Sequence, residues 1–441
     1  MDGEFTRANV GTELRQWQLQ AVTNWNQSGR AGIVAAATGT GKTRVAVQLI
    51  NEALQRGERV VVVVPKKVLA AQWVAELQTR LRLGPKKMGT LGGDNPSFQY
   101  EHRLVVAVIN SARSRLSGII THWQTQGDRV LLVVDECHWA GSEQSRTLFD
   151  TSADSTLGLS ATPERGDDGF DEILVPNLGR VIFRYTLREA LDDGLLAPLV
   201  ALNVYLTMSP WERSEFDRIS SELQRVLEGE GGSNVALDSS DPALPVLLHS
   251  LSGRPAHARL DRLMREQRQL LASSPARVEA LGDLTRLGLF EGRRSLVFNE
   301  TIDQAEAAHA LLSQHDLAVV MDHSRLTNEQ RNRAHRAFAA GAADCLVAVR
   351  TVDEGVDLPD ADLAVITSGT TNPRQRIQRI GRVVRPKTKE ALVVSLLAKG
   401  TPEELIGLGD EALLGTGRVH HLRTPQQVAA EIRRITASLT D

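Results

Sequence analysis

Gly32-Ile33-Val34-Ala35-Ala36 runs directly into Ala37-Thr38-Gly39-Thr40-Gly41-Lys42-Thr43. An apolar strand feeding a glycine-rich turn that ends in Lys-Thr is the layout of a phosphate-binding loop. Gly39 and Gly41 let the backbone curl so that successive N–H groups point at one anion. A helix expected to begin near Lys42 adds its positive end. In this layout Lys42 reaches the β- and γ-phosphates of a nucleotide, the Thr43 hydroxyl holds Mg²⁺, and Thr38, Gly39, Thr40 and Gly41 line the phosphate site. Ala36 stands where the usual pattern has its first glycine, and the Thr-Gly-Thr-Gly that follows supplies the missing flexibility.

The rest of the chain is long enough to supply what hydrolysis of that nucleotide needs. Its 441 residues allow two or three domains, and 41% hydrophobic with 24% charged residues is an ordinary globular balance. Two cysteines, Cys137 and Cys345, exclude a disulfide scaffold and a cysteine-based zinc site, and fit a reducing cytosol. Met1-Asp-Gly-Glu-Phe-Thr-Arg lacks the apolar core of a signal peptide, and runs such as Val130 to Val134 have strand length rather than membrane length. A soluble, cytoplasmic protein with no membrane partner is therefore expected. With 51 basic and 54 acidic residues the net charge is −3, so contacts to a nucleic acid would be confined to a local groove.

Short runs of β-branched residues alternate with helical patterns from Ala31 to about Ile182. They cover 33–36, 60–64, 104–109, 130–134 and 156–159, and a second series covers 295–298, 317–321, 345–349, 363–367 and 391–397. Such runs read as buried parallel strands with helical crossovers. The expected fold class is α/β, with two similar parallel-sheet domains in tandem. The first is expected over 1–190, a crossover over 191–208, the second domain over 277–400 and a closing helical tail over 401–441. Between the domains, 209–276 is Glu/Arg-rich and helical in pattern, broken by Gly229-Glu-Gly-Gly-Ser233 and Asp241-Pro242. It reads as a helical insertion with a flexible loop, or as a clamp on nucleic acid.

Val133-Val134-Asp135-Glu136-Cys137-His138 ends one of the buried runs with paired carboxylates. Asp135 is placed to hold Mg²⁺, and Glu136 is the candidate base that polarises an attacking water. His138 couples that site to its neighbours.

At this point the chain resembles superfamily 2 helicases and translocases. Leu14-Arg15-Gln16-Trp17-Gln18-Leu19-Gln20-Ala21-Val22 is similar to the adenine-recognition motif, which implies that Gln18 reads the base edge with Arg15 in support. Val64-Pro65-Lys66-Lys67-Val68-Leu69-Ala70-Ala71-Gln72-Trp73 resembles motif Ia, implying that Pro65 and Lys66 touch a nucleic-acid backbone. Leu159-Ser160-Ala161-Thr162-Pro163 matches motif III, which makes Ser160 and Thr162 coupling residues. Asp353-Glu354-Gly355-Val356-Asp357-Leu358-Pro359 matches motif V and adds Gly355 and Asp357 to the ATP site. Gln375-Arg376-Ile377-Gln378-Arg379-Ile380-Gly381-Arg382-Val383-Val384-Arg385 matches motif VI. The order and spacing of the motifs agree from about residue 13 to 390. The resemblance implies two RecA-like domains with ATP and Mg²⁺ in the cleft between them and a DNA strand across their upper faces.

Motif VI also has a reading from its residues. Arg374, Arg376, Arg379, Arg382, Arg385, Lys387 and Lys389 form a cationic run without an acid. Arg374, Arg376, Lys387 and Lys389 read as a solvated or phosphate-contacting face. Arg382 and Arg385, three apart on one helical face, are the arginines expected at the γ-phosphate, where such a group is worth on the order of 10³–10⁵ in rate in GTPases. Gln378, four before Arg382, is expected to orient the attacking water.

The match departs from its pattern in three places. The threonine usual in motif Ib is missing at Val108 and Ile109, so Asn110, Ser111 and Arg113 take its backbone contacts. Val349 stands where motif V has a threonine, leaving Arg350 and Thr351 as substitutes. Gly92-Gly93 reads either as a phosphate approach or as an ordinary turn. Within the superfamily, the motif V–VI block most resembles XPB-type DNA helicases, and Arg165-Gly166-Asp167 occupies the place of their Arg-Glu-Asp loop, with its middle residue changed. An ATP-dependent DNA helicase or translocase is the expectation. An RNA-dependent ATPase, a duplex translocase that separates no strands, and a nucleotide-gated scaffold without turnover are the alternatives. Protein partners in a repair, restriction or defence assembly would fit the first of these.

Overall fold

The computed structural model describes residues 14–83, 87–93, 96–165, 167–229, 255–349, 361–368, 373–381 and 390–438. The chain divides into two compact units at Ala190/Leu191, each built on a seven-stranded sheet whose paired strands are all parallel.

In the first unit the strands are β1 (Ala31–Ala36), β2 (Arg59–Val64), β3 (Met88–Leu91), β4 (Leu104–Val108), β5 (Val130–Asp135), β6 (Ser155–Ser160) and β7 (Val181–Tyr185). Their order in the sheet is β3-β4-β2-β5-β6-β1-β7. The helices are α1 (Gln16–Gln27), α2 (Lys42–Gln55), α3 (Lys67–Leu81), α4 (Ile109–Thr125) and the short α5 (Val175–Leu178) and α6 (Leu187–Asp192). Strands β2, β4 and β5 are apolar at nearly every position because helices cover both faces of a parallel sheet. Val61, Val63, Val105, Ala107, Leu132 and Val134 point to one face and meet Ala112, Leu116, Ile119, Ile120 and Trp123 of α4. Strand β1 lies between β6 and β7, so the glycine-rich loop and the acids after β5 leave the same end of the sheet with only β6 between their strands.

The second unit carries β8 (Leu199–Leu206), β9 (Ser295–Asn299), β10 (Val319–Asp322), β11 (Cys345–Val349), β12 (Leu363–Ile366), β13 (Ala391–Ala398) and β14 (Val419–Leu422). Their order is β10-β11-β9-β12-β13-β8-β14. Helices α7 (Pro210–Gly229) and α8 (Pro255–Ala272) follow β8, then α9 (Pro275–Arg286), α10 (Ile302–Leu312), α11 (Asn328–Ala339), α12 (Pro373–Gly381), α13 (Glu403–Leu414) and α14 (Pro425–Ser438). Helices α7 and α8 pack along Ile219, Leu223, Leu227, Leu260 and Leu263, a small core of their own. Glu222 accepts from Arg259 across this pair, at 2.8 Å.

Four strands depart from the expected set. The segment expected as a crossover contains β8, which pairs with β13 over eight residues and is buried through most of its length. The segment expected as a helical tail contains β14, which pairs with β8 at the sheet edge. Strands β3 and β7 also have no place in the expected list. Both β3 and β14 are four residues long, and β14 carries His420 and His421 in its centre, so neither shows the apolar run of a buried strand.

Candidate functional site

The phosphate loop is held from behind by the helix that precedes β1. Arg15 caps α1, and its backbone N–H donates to Gln18 Oε1 at 2.9 Å. Gln18 Nε2 in turn donates to the carbonyl of Gly41 at 3.1 Å, and Arg15 Nη1 donates to the carbonyl of Thr40 at 3.0 Å. Gln18 is fully buried. The two residues expected at the adenine base thus both donate to backbone carbonyls of the loop. Trp17 stacks on Tyr185 with ring centroids 4.9 Å apart, which fixes α1 against β7.

Within the loop, Gly39 and Gly41 have φ of 80° and 96°, a region that other residues occupy only with strain. Thr40 Oγ1 donates to the Ala37 carbonyl at 2.7 Å, and Lys42 Nζ donates to the Ala36 carbonyl at 2.8 Å. The Lys42 ammonium thus rests across the mouth of the loop. Thr38 Oγ1 is buried with no hydrogen-bond partner among the described residues. Thr43 opens α2 and is half-buried. A left-handed glycine cradle, an ammonium at its mouth and a helix N-terminus fit a triphosphate, and Thr43 with Asp135 are oxygen donors suited to Mg²⁺.

Strand β5 delivers Asp135 to the same end of the sheet. Its Oδ2 accepts from the buried indole Nε1 of Trp73 at 2.7 Å, and its Oδ1 accepts from the Glu136 backbone N–H at 2.9 Å. Burial, and then the charge of Glu136, push the Asp135 carboxyl up to about 6, while Trp73 and Lys42 favour the ionised form. A divalent cation beside Asp135 would act in the same direction as Lys42. Glu136 sits in the left-handed region at φ 46°, a conformation that costs a non-glycine residue on the order of 1 kcal/mol or more. That turn separates the two carboxylates.

From the acids a chain of contacts leads to β6. His138 Nδ1 lies 3.5 Å from Glu136 Oε2 and 3.1 Å from Ser160 Oγ, and the Thr162 N–H donates to Ser160 Oγ at 3.2 Å. The three residues expected to couple the site to its surroundings thus form one connected path. Arg165 joins it, donating through Nη1 to the His138 carbonyl and through Nε to Asp167 Oδ1 at 2.6 Å. Arg165 is therefore anchored to the acid turn, while Gly166 lies outside the described residues.

The residues expected at a nucleic-acid backbone follow β2 and β4. Pro65 and Lys66 follow β2, and Lys66 Nζ stands 5.9 Å from the ring centroid of half-exposed Trp139. Asn110 and Ser111 open α4. Arg113 donates to Ser145 Oγ at 2.8 Å and to Asn110 Oδ1 at 3.2 Å, so its guanidinium is already engaged. Gly92 and Gly93 both take positive φ, and a Cβ on Gly92 would meet Ser111 Oγ at 2.3 Å.

In the second unit, α12 carries part of motif VI. Arg376, read from sequence as a solvated or phosphate-contacting cation, is instead buried, and its guanidinium grips Asp410 of α13 through Nε and Nη2. The reason is the amphipathic turn of α12, which aims position 376 at the sheet, where Ser395 Oγ accepts from Nη2 at 3.0 Å. Arg379 is also buried, 3.6 Å from Glu300 Oε2 and 5.5 Å above the Phe298 ring. Burial pulls its pKa down to about 10, opposed by Glu300. Arg350, Thr351, Gly355, Asp357, Arg382, Arg385 and the side chain of Gln378 lie outside the described residues.

Sequence reading missed Trp73, Arg165, Arg376 with Asp410, and Arg379 with Glu300 as partners. Trp73 lay within the quoted motif Ia stretch, but nothing in its spacing says which acid it meets.

Two family models match the chain. Residues 11–165 match the res subunit of type III restriction enzymes, and residues 276–387 match the helicase conserved C-terminal domain. The DNA 3'-5' translocase XPB2 of Sulfurisphaera tokodaii is 29% identical over 392 residues, 89% of this chain and 83% of that protein. Rad25 of Halobacterium salinarum is 29% identical over 96% of this chain, which spans only 59% of that relative. Among solved structures, S. cerevisiae Dbp5 bound to RNA and ADP BeF3 aligns over 98% of this chain and 95% of its own with a TM-score of 0.60 at 14% identity. That likeness concerns the fold. Among the described residues no helix is long and apolar enough to cross a membrane.

Proposed function

We infer that this chain, a superfamily 2 helicase by both of its family models, is an ATP-hydrolysing DNA translocase of the XPB type. The observation that carries the reading is the first unit's phosphate loop, with Lys42 at its mouth and Asp135-Glu136 at the same end of the sheet. Gln18 and Arg15 hold the loop in its binding conformation. Lys42 moves from the Ala36 carbonyl to the phosphates, and Glu136 takes a proton from the attacking water. Thr43 and Asp135 would hold Mg²⁺, which would supply charge neutralisation on the phosphate oxygens. Arg382 and Arg385 add cationic charge to the transition state, with Gln378 orienting the water. His138, Ser160 and Thr162 relay the state of Glu136 to the end of β6.

DNA is the substrate that the names of the relatives support, and 3'-5' is the polarity they suggest for this chain. Pro65, Lys66, Asn110, Ser111 and Arg113 take the phosphate backbone, with Arg350 and Thr351 from the second unit, so binding is tolerant of sequence and sensitive to salt. Translocation on duplex without strand separation is a second reading, favoured by the word translocase in the name of the Sulfurisphaera relative. A repair, restriction or defence assembly is the setting we propose, and the cytosol its place, consistent with two buried free cysteines.

The test compares ATPase rates with single-stranded, duplex and forked DNA and with RNA, alongside displacement of a triplex strand. Stimulation by DNA over RNA is expected. Stimulation by RNA alone would overturn the substrate assignment, and triplex displacement without unwinding would select the second reading.

A further inference from the structure

Trp73 lies on α3 and is 2% exposed. Its single donor, the indole Nε1–H, ends on Asp135 Oδ2 at 2.7 Å. A buried indole usually finds an acceptor, but the acceptor need not be an acid. Trp25 and Trp123, the other fully buried indoles with such bonds, donate to the carbonyls of Thr156 and Tyr100 at 2.8 and 2.9 Å. Trp73 differs in ending on a side chain, and that side chain is the carboxylate read as the cation's ligand. The Glu136 N–H holds the other oxygen, so the carboxylate plane is fixed from two directions.

The same helix begins beside the expected DNA contact. Lys66 caps α3 and faces Trp139, which follows the acids in the Asp135–Trp139 turn. Seven residues separate Lys66 from Trp73, about two helical turns or ~10 Å along the axis. The helix α3 is thereby joined to the acid turn at two points, one at its exposed start and one in the buried interior.

We propose that Trp73 is a positioning residue that orients Asp135 toward the divalent cation, and that α3 carries the effect of DNA bound at Lys66 to that cation. The proposal rests on the reading of Asp135 as a cation ligand. It differs from that reading in requiring the indole N–H, because the ring alone could fill the space.

The experiment titrates Mn²⁺ into the full chain with a non-hydrolysable ATP analogue, following water-proton relaxation with and without single-stranded DNA. Trp73→Phe keeps an aromatic ring, smaller than the indole, and removes the N–H. Its apparent Mn²⁺ dissociation constant is expected to rise on the order of 10-fold, as when other outer-shell partners of metal ligands are removed. DNA is expected to shift the wild-type affinity and leave that of Trp73→Phe unmoved. Lys66→Ala is expected to lose the DNA response while keeping the Mn²⁺ affinity. Wild-type affinity in Trp73→Phe overturns the proposal and leaves the role of Asp135 standing. Unchanged affinity in Asp135→Asn overturns the reading beneath it. Should Trp73→Phe fail to fold, benzothienylalanine in place of Trp73, which keeps the shape of the indole and lacks its N–H, decides. A loss of about 10-fold supports the proposal, and affinity near wild type overturns it.

Discussion

Gln18 and Gly41 are locked together. The Gln18 amide donates to the Gly41 carbonyl at 3.1 Å, and a Cβ placed on Gly41 would stand 2.9 Å from that same nitrogen. The glycine is needed twice over, for its φ of 96° and for this close approach.

Gly41→Ala is therefore expected to distort the loop and abolish ATP binding, measured by titration of a fluorescent nucleotide. Gln18→Ala removes only a hydrogen bond worth about 0.5–1.5 kcal/mol, so its nucleotide affinity should fall roughly 2- to 10-fold. The double variant should bind no better than Gly41→Ala, because the backbone strain remains. Recovery in the double variant would mean that the contact, and not φ, is what requires glycine.

Lys42→Ala and Glu136→Gln are both expected to stop turnover, for different reasons. Lys42→Ala should lose nucleotide binding. Glu136→Gln should keep it and lose at least about 10²-fold in hydrolysis, the usual contribution of a general base. Single-turnover hydrolysis with pre-bound ATP separates the two. Robust hydrolysis by Glu136→Gln would remove that residue from its role.

The buried pair Arg376–Asp410 makes a stability prediction. Asp410 is fully buried and also accepts from Asn203 Nδ2 at 3.0 Å. Asp410→Asn leaves a buried guanidinium without its counter-charge, which typically costs about 3–5 kcal/mol. The urea midpoint of the second unit's unfolding should fall accordingly. Arg376→Met with Asp410→Leu should recover most of the loss.

Asp322 sets a pH dependence. Burial disfavours its charge, but hydrogen bonds from His335 and Arg331 outweigh this and hold the carboxyl down at about 2. The folded-state pKa lies below the unfolded value of about 4, so the contribution is fully present above that pH. It amounts to about 2 kcal/mol and is lost as pH falls from about 4 toward 2. Asp322→Asn should remove that part of the acid sensitivity, as measured by unfolding at pH 6 and pH 3.

Lys66→Ala should weaken DNA binding evenly across sequences and reduce the slope of log affinity against log salt by about 1. A change confined to particular sequences would mean that Lys66 reads bases.

The loop at 37–43, the acids at 135–136 and most of the strands were legible because each is a local pattern. A strand buried on both faces must be apolar, and a phosphate turn must carry glycine at fixed offsets. The strands β8 and β14 were not legible as members of the second sheet. Strand β8 lies beside β13, and its first residue Leu199 pairs with Leu392. Such pairing joins segments far apart in the sequence, and no local pattern records it.

The sequence by itself determined which chemistry this protein carries, from the residue types and their order along the chain. The tertiary structure alone decided which side chains hold that chemistry in place. Trp73 reaches Asp135 across 62 residues, and Arg376 reaches Asp410 across 34. Backbone periodicity writes a helix or a turn into neighbouring residues, but it says nothing about partners brought together by strand order. A buried N–H or guanidinium is stabilised by an acceptor, and the packed fold alone specifies which one.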